Sequence, residues 1–215
     1  MYKIMTPGPT QVAENVRLAR SRECTNPDLD ESFVEFYKET CEEISRLLHT
    51  DNETLILGGE GILGLEAACA SMTEPGDRVL VLDNGIYGKG FADFVSMYGG
   101  CPELYSRDYR ETLDVQELEN FLKEHHNYKY ATVVHGDTPS GMLNDVSAIC
   151  PLLKKYGIMT VVDSVSASFL SLIHIYLLFD SFSNIHWQLP KNRKYRKQDH
   201  KLPHLVSAAS IQPSY

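Results

Sequence analysis

The sequence predicts an α/β fold, a three-layer α-β-α arrangement on a mostly parallel sheet. Short, nearly all-apolar runs rich in β-branched residues alternate with longer amphipathic runs. Strands apolar at every position are covered on both faces, which is the pattern of a parallel sheet between helix layers. Gly, Asn, Asp, Ser, Thr, Tyr and His gather just after each apolar run, the edge at which such sheets bind ligands.

Taken in order, Met5-Thr6-Pro7-Gly8-Pro9-Thr10 reads as a rigid turn, two prolines fixing φ around a permissive glycine. From Asp30 to His49, Phe33, Phe36, Tyr37, Cys41, Ile44, Leu47 and Leu48 recur at three- and four-residue spacing. Glutamates and Lys38 fill the other face, so this is an amphipathic helix whose job is packing. Strands are expected at Thr54–Leu57, Arg78–Leu82, Tyr130–Val134 and Ile158–Val162, with Pro102–Tyr105 as a short extra one. Helices are expected at Leu65–Met72, Lys89–Tyr98, Val115–His125 and Val146–Tyr156.

Composition narrows the function classes. The formal charge of −9 argues against a nucleic-acid or anionic-membrane binder. Five scattered cysteines, with no CxxC pair, predict reduced thiols rather than a disulfide framework or a metal site. The first residues do not read as a signal peptide, and the longest apolar run, Phe169 to Phe179, is too short to span a bilayer. A soluble, cytoplasmic protein is expected.

After about Ser168 the rhythm is lost. Residues 171–215 hold six Lys/Arg against Asp180 and Asp199, so the first 170 residues carry the acidic excess. Native organisation is expected over residues 1–168. Residues 169–215 are expected to be weakly ordered, and foreign to the rest: the end of a truncated or frameshifted gene.

The most informative stretch is Leu57-Gly58-Gly59-Glu60-Gly61-Ile62-Leu63-Gly64. An apolar run enters a glycine-rich turn and a helix-forming run follows, so backbone N–H groups and the positive end of a helix dipole face outward. That is a site for a phosphate. Gly59-x-Gly61-x-x-Gly64 satisfies the GxGxxG pattern, with Asp83 at the next strand end, which leaves an NAD-dependent oxidoreductase as one reading. A non-catalytic binding module that uses the basic tail is another. The other strand ends favour a different ring. Tyr87 could stack on a flat cofactor. Asp163 ends an apolar strand, where a carboxylate is costly unless it meets a cation such as a protonated pyridine nitrogen.

Together these stretches resemble the class V aminotransferases of pyridoxal-phosphate fold type I, most of all the alanine–glyoxylate/serine–pyruvate branch. The resemblance covers residues 4–167. It rests on Thr6-Pro7-Gly8-Pro9-Thr10, the Gly59–Ala68 stretch, Glu74-Pro75-Gly76-Asp77 and Asn84-Gly85-Ile86-Tyr87-Gly88. His135-Gly136-Asp137-Thr138-Pro139-Ser140-Gly141 and Val162-Asp163-Ser164-Val165-Ser166 complete it.

The resemblance implies the incomplete large domain of that fold, with pyridoxal 5′-phosphate as cofactor. Glu60, Gly61 and Ile62 would offer backbone N–H groups to its phosphate, with the acidic side chain of Glu60, unusual there, turned away from the anion. Tyr87 would stack on the pyridine ring and Val165 would pack on the opposite face. Thr138 would bond the ring hydroxyl oxygen and Asp163 the ring nitrogen. Gly8 would sit near the amino-acid substrate, across a homodimer interface. The implied reaction moves an amino group from alanine or serine to glyoxylate or pyruvate. Cysteine desulfurases and aminoethylphosphonate transaminases share much of this half. No lysine matches the family's Schiff-base lysine: Lys191, Lys194, Lys197 and Lys201 sit in a basic stretch with no strand before it. The chain itself is therefore expected to be inactive.

Overall fold

The computed structural model describes residues 3–23 and 26–168. The tail from residue 169 lies outside the described residues. The elements are α1 (Glu14–Arg20), α2 (Glu31–Leu47), α3 (Gly61–Met72), β1 (Arg78–Asp83), α4 (Ile86–Met97), β2 (Cys101–Ser106), α5 (Val115–Glu124), β3 (Tyr130–Val134), β4 (Gly136–Asp137), β5 (Met142–Leu143), α6 (Val146–Lys155) and β6 (Met159–Asp163).

Four strands form one parallel sheet in the order β2-β1-β3-β6. Side chains alternate across it. Leu80 and Leu82 of β1 join Ala131 and Val133 of β3 under α5 and α6, with Leu118, Leu122, Ile149 and Leu153. Val79 and Val81 face the other way, with Tyr130, Val134 and Val161, under Leu65 and Cys69 of α3 and Phe91 and Val95 of α4. The expected three layers are present. Each fully buried Leu or Val contributes about 1.5–3 kcal/mol through its removal from water. Asp114 and Asp145 start α5 and α6 by accepting the N–H of Glu117 and Ala148, which satisfies two donors the helices leave open.

One strand is corrected. Thr54–Leu57 has no strand neighbour among the described residues, and Leu55 and Leu57 are 50% and 42% exposed. Its backbone is tied instead to α2: the Tyr37 hydroxyl accepts from Ile56 N–H and donates to Ile56 O, both at 3.0 Å. Ser45 Oγ also bonds Thr54 Oγ1 at 2.7 Å. An apolar run becomes a sheet strand only where a partner edge lies beside it.

Helix α1 has no counterpart among the expected helices, and it buries none of its residues. The small antiparallel hairpin β4–β5 is likewise an addition. It is closed by Asp137-Thr138-Pro139-Ser140-Gly141, where Gly141 has φ +74°, a conformation other residues rarely adopt.

The strand order shapes the carboxyl edge. The chain runs from β1 outward to β2, then returns to lay β3 on the other side of β1 and continues to β6. The β1–β2 pairing extends to Asp83 and Ser106, and β3–β6 to Val134 and Asp163. The β1–β3 pairing stops at Val81 and Thr132. The two halves therefore part at the carboxyl edge, at the switch point where open α/β sheets hold their ligands.

Candidate functional site

The carboxyl edge gathers Asp83 and Asn84 after β1, His135 to Ser140 after β3, and Asp163 to Ser166 after β6. Asp163 is buried, and that burial raises its pKa from the ordinary carboxylate range; the N–H of Val165 pulls the other way and the charge of Asp137 adds to the rise. Its Oδ1 accepts from Val165 N–H at 2.9 Å, while Oδ2 has no partner among the described residues. A carboxylate so placed gains most from a cation brought to it.

The turn that carries Asp163 is fastened to the end of β3. His135 N–H donates to Asp163 O at 2.8 Å, His135 Nδ1 lies 3.0 Å from Ser164 Oγ, and Ser166 Oγ donates to Gly136 O. Val165, at the crest of that turn, is 38% exposed.

Tyr87 lies in the first turn of α4 and is 49% exposed. Its helix rests directly on the end of β1, for a Cβ at Gly88 would stand 2.8 Å from Leu82 O. Only glycine permits that approach. Thr138 sits exposed at the tip of the β4–β5 hairpin. Glu60 is the N-cap of α3, exposed, and its side chain makes no capping bond. Gly61 and Ile62 open the helix. Leu63 N–H bonds Glu60 O at 2.9 Å, and the N–H groups of Glu60, Gly61 and Ile62 have no backbone acceptor among the described residues. Three open donors at a helix start suit an anion or a polar substituent.

Gly8 is exposed, with nothing within 4 Å of the position a Cβ would take. Within the single chain it touches none of Glu60, Tyr87, Thr138, Asp163 and Val165.

Several residues here escape a reading of motifs. Asp83 and Asp137 are buried; Asp83 Oδ2 accepts from Ser106 Oγ at 2.8 Å and Asp137 Oδ2 from Ser140 Oγ at 2.6 Å. The Oδ1 of each has no partner among the described residues. The Tyr109 hydroxyl is pushed up in pKa by burial first and then by the charge of Asp83. Asn144, buried and bonded to Asn84, is also absent from every recognised motif. The signal for Asn144 was its place one residue before the α6 cap, where an uncharged amide has no capping role to play.

The groups at the carboxyl edge and at the start of α3 would suit a pyridine cofactor. Asp163 needs a cation, Tyr87 and Val165 offer exposed apolar faces, and α3 offers open donors. The sequence profile of the family described as Aminotransferase class-V matches residues 7–175. The pyridoxamine–pyruvate transaminase of Mesorhizobium japonicum is 38% identical over 142 residues, 65% of this chain and 36% of that protein. The crystal structure of pyridoxamine-pyruvate aminotransferase from Mesorhizobium loti superposes with a TM-score of 0.73 at 34% identity, over 77% of this chain and 42% of that one. Alanine–glyoxylate aminotransferase from Nostoc sp. gives 0.74 at 25% identity, over 81% and 46%. The chain thus spans less than half the length of these relatives. The dinucleotide reading of the glycine turn falls away, because the run before that turn pairs with no strand among the described residues and the profile that spans the turn is that of an aminotransferase family. The chain belongs to the class V aminotransferases, a family of fold type I that depends on pyridoxal 5′-phosphate.

Proposed function

We propose that this chain supplies the ring-binding half of an aminotransferase that moves an amino group between pyridoxamine and pyruvate. The observation that carries the reading is Glu60. A carboxylate stands at the N-cap position of the helix whose open N–H groups would otherwise receive a phosphate dianion, and like charges at one helix mouth repel. An unphosphorylated ring brings no such charge, and its hydroxymethyl arm can use both the N–H groups and the carboxylate. The relatives named for pyridoxamine and pyruvate, at 38% and 34% identity, support the same choice.

When bound, the ring supplies an electron sink for the carbon that bears the amino group. The residues of this chain orient it. Asp163 holds the proton on the ring nitrogen, kept in place by the Val165 N–H and by the ties from His135 to Asp163 and Ser164. Tyr87 covers one face and Val165 the other, which excludes water. Thr138 donates to the ring hydroxyl oxygen. Gly8 meets the substrate of a partner subunit in a homodimer; its exposure in the single chain supports that placing. The amine that would move the proton at the reacting carbon is not among these described residues.

A second reading keeps a resident pyridoxal 5′-phosphate, with alanine or serine as donor and glyoxylate or pyruvate as acceptor. The open donors at residues 60–62 favour it, with the Glu60 side chain turned outward. Thermal-shift titrations of the chain with pyridoxal, pyridoxamine and pyridoxal 5′-phosphate separate the two. Stronger stabilisation by the unphosphorylated rings is expected. Stronger stabilisation by the phosphate ester selects the second reading, and stabilisation by none of them overturns both.

A further inference from the structure

We propose that Asn84 and Asn144 are positioning residues: their paired side-chain amides set the gap between the Tyr87 helix and the Thr138 hairpin, and so the width of the ring site. The consequence for binding rests on the ring site proposed above; the coupling itself does not.

The pairing is reciprocal. Asn84 Nδ2 donates to Asn144 Oδ1 at 2.8 Å, and Asn144 Nδ2 donates to Asn84 Oδ1 at 3.0 Å. Each residue is 1% exposed. The remaining capacity is also used: Asn84 Nδ2 reaches Glu111 O at 3.0 Å, Asn144 Nδ2 reaches Val134 O at 2.8 Å, and Leu113 N–H donates to Asn144 Oδ1 at 3.1 Å. Buried amides satisfied this fully hold one arrangement, because any rotation leaves a donor or acceptor unpaired.

The pair bridges the place where the sheet parts. Asn84 follows β1, Asn144 bonds the last carbonyl of β3, and the β1–β3 ladder ends two residues earlier. On one side, Asn84 leads through Gly85 into Tyr87, and Gly88 packs so close to β1 that an added Cβ would stand 2.8 Å from Leu82 O. On the other, Asn144 N–H donates to His135 O at 2.8 Å and closes the base of the hairpin that carries Thr138. Gly85 also lies against Asp137 of that hairpin, where a Cβ would stand 2.6 Å from the carboxyl carbon. The helix and the hairpin have no strand pairing between them, so the amide pair takes the place of the missing ladder.

Amide hydrogen exchange on the full 215-residue chain tests the coupling without any ligand. Asn144→Ala is expected to speed exchange in residues 85–89 as well as in its own hairpin, and Asn84→Ser to speed it in residues 136–143. The amides of α6 should be unchanged in both. Acceleration confined to the mutated residue's own side overturns the proposal. Should Asn144→Ala fail to fold, Asn144→Ser carries the same test. A second arm measures pyridoxal affinity by ring absorbance. Each single variant should weaken binding at least fivefold, and Asn84→Ser/Asn144→Ala no more than the worse single, since one bond pair is lost only once. Multiplying losses overturn the shared role. If the wild-type chain binds no ring, the functional reading fails and the exchange arm alone decides the coupling.

Discussion

His135 Nδ1 and Ser164 Oγ form a buried pair 3.0 Å apart, which joins the end of β3 to the residue that follows Asp163. Ser164→Ala should leave the imidazole nitrogen without that partner. The loss of a buried bond costs about 1–2 kcal/mol, which lowers Tm by roughly 3–6 °C in a domain of this size. Calorimetry of the two proteins checks it; an unchanged Tm shows that the bond contributes nothing to holding the aspartate turn.

Asp163→Asn should stabilise the free chain at neutral pH while weakening ring binding. Burial raises the carboxyl's pKa, so the folded state favours the protonated form. The unfolded chain gives up this proton near pH 4, and from there upward ionisation costs folded stability until the folded carboxyl has titrated as well. The amide keeps an oxygen for Val165 N–H and carries no charge. Its advantage in Tm is therefore expected at pH 7 and should vanish below about pH 4. A variant less stable than wild type at pH 7 contradicts this account.

Glu60→Ser should change which ring the chain prefers. It removes a carboxylate from the start of α3 and substitutes a side chain suited to an N-cap. Pyridoxal 5′-phosphate affinity should rise about two- to fivefold, in keeping with about 0.3–1 kcal/mol for one exposed charge at a helix terminus. Pyridoxal affinity should stay level or fall. Equal gains for both rings would show that Glu60 does not discriminate phosphate.

Gly88→Ala should be costly despite its small size. The added Cβ would meet Leu82 O at 2.8 Å, and backbone cannot turn away as a side chain can. Overpacking of this kind costs about 1–3 kcal/mol, and α4 must lift from β1 to relieve it. Tyr87 would move with the helix. Urea denaturation measures the first effect, and pyridoxal titration the second. A wild-type midpoint in the variant refutes the close contact.

The strand ends were legible because their chemistry is local. Val79 to Leu82 and Tyr130 to Val134 announce strands buried on both faces, and the polar residues after them mark the ligand edge. Gly85 and Gly88 were visible as glycines, but what each makes room for, Asp137 and Leu82 O, was not. Thr54–Leu57 misled, since its apolar pattern is that of a strand and pairing depends on a neighbour far along the chain.

By itself the sequence determined the layer order, the sheet's parallel character and the family, through patterns that each lie within a few consecutive residues. Tertiary structure alone decided that β1 and β3 part at the carboxyl edge, that His135 holds Ser164, and that Asn84 and Asn144 close the gap. Those relations join residues 29 and 60 positions apart. A hydrogen bond between distant side chains leaves no period in a sequence; it exists only once the sheet has brought their strands side by side.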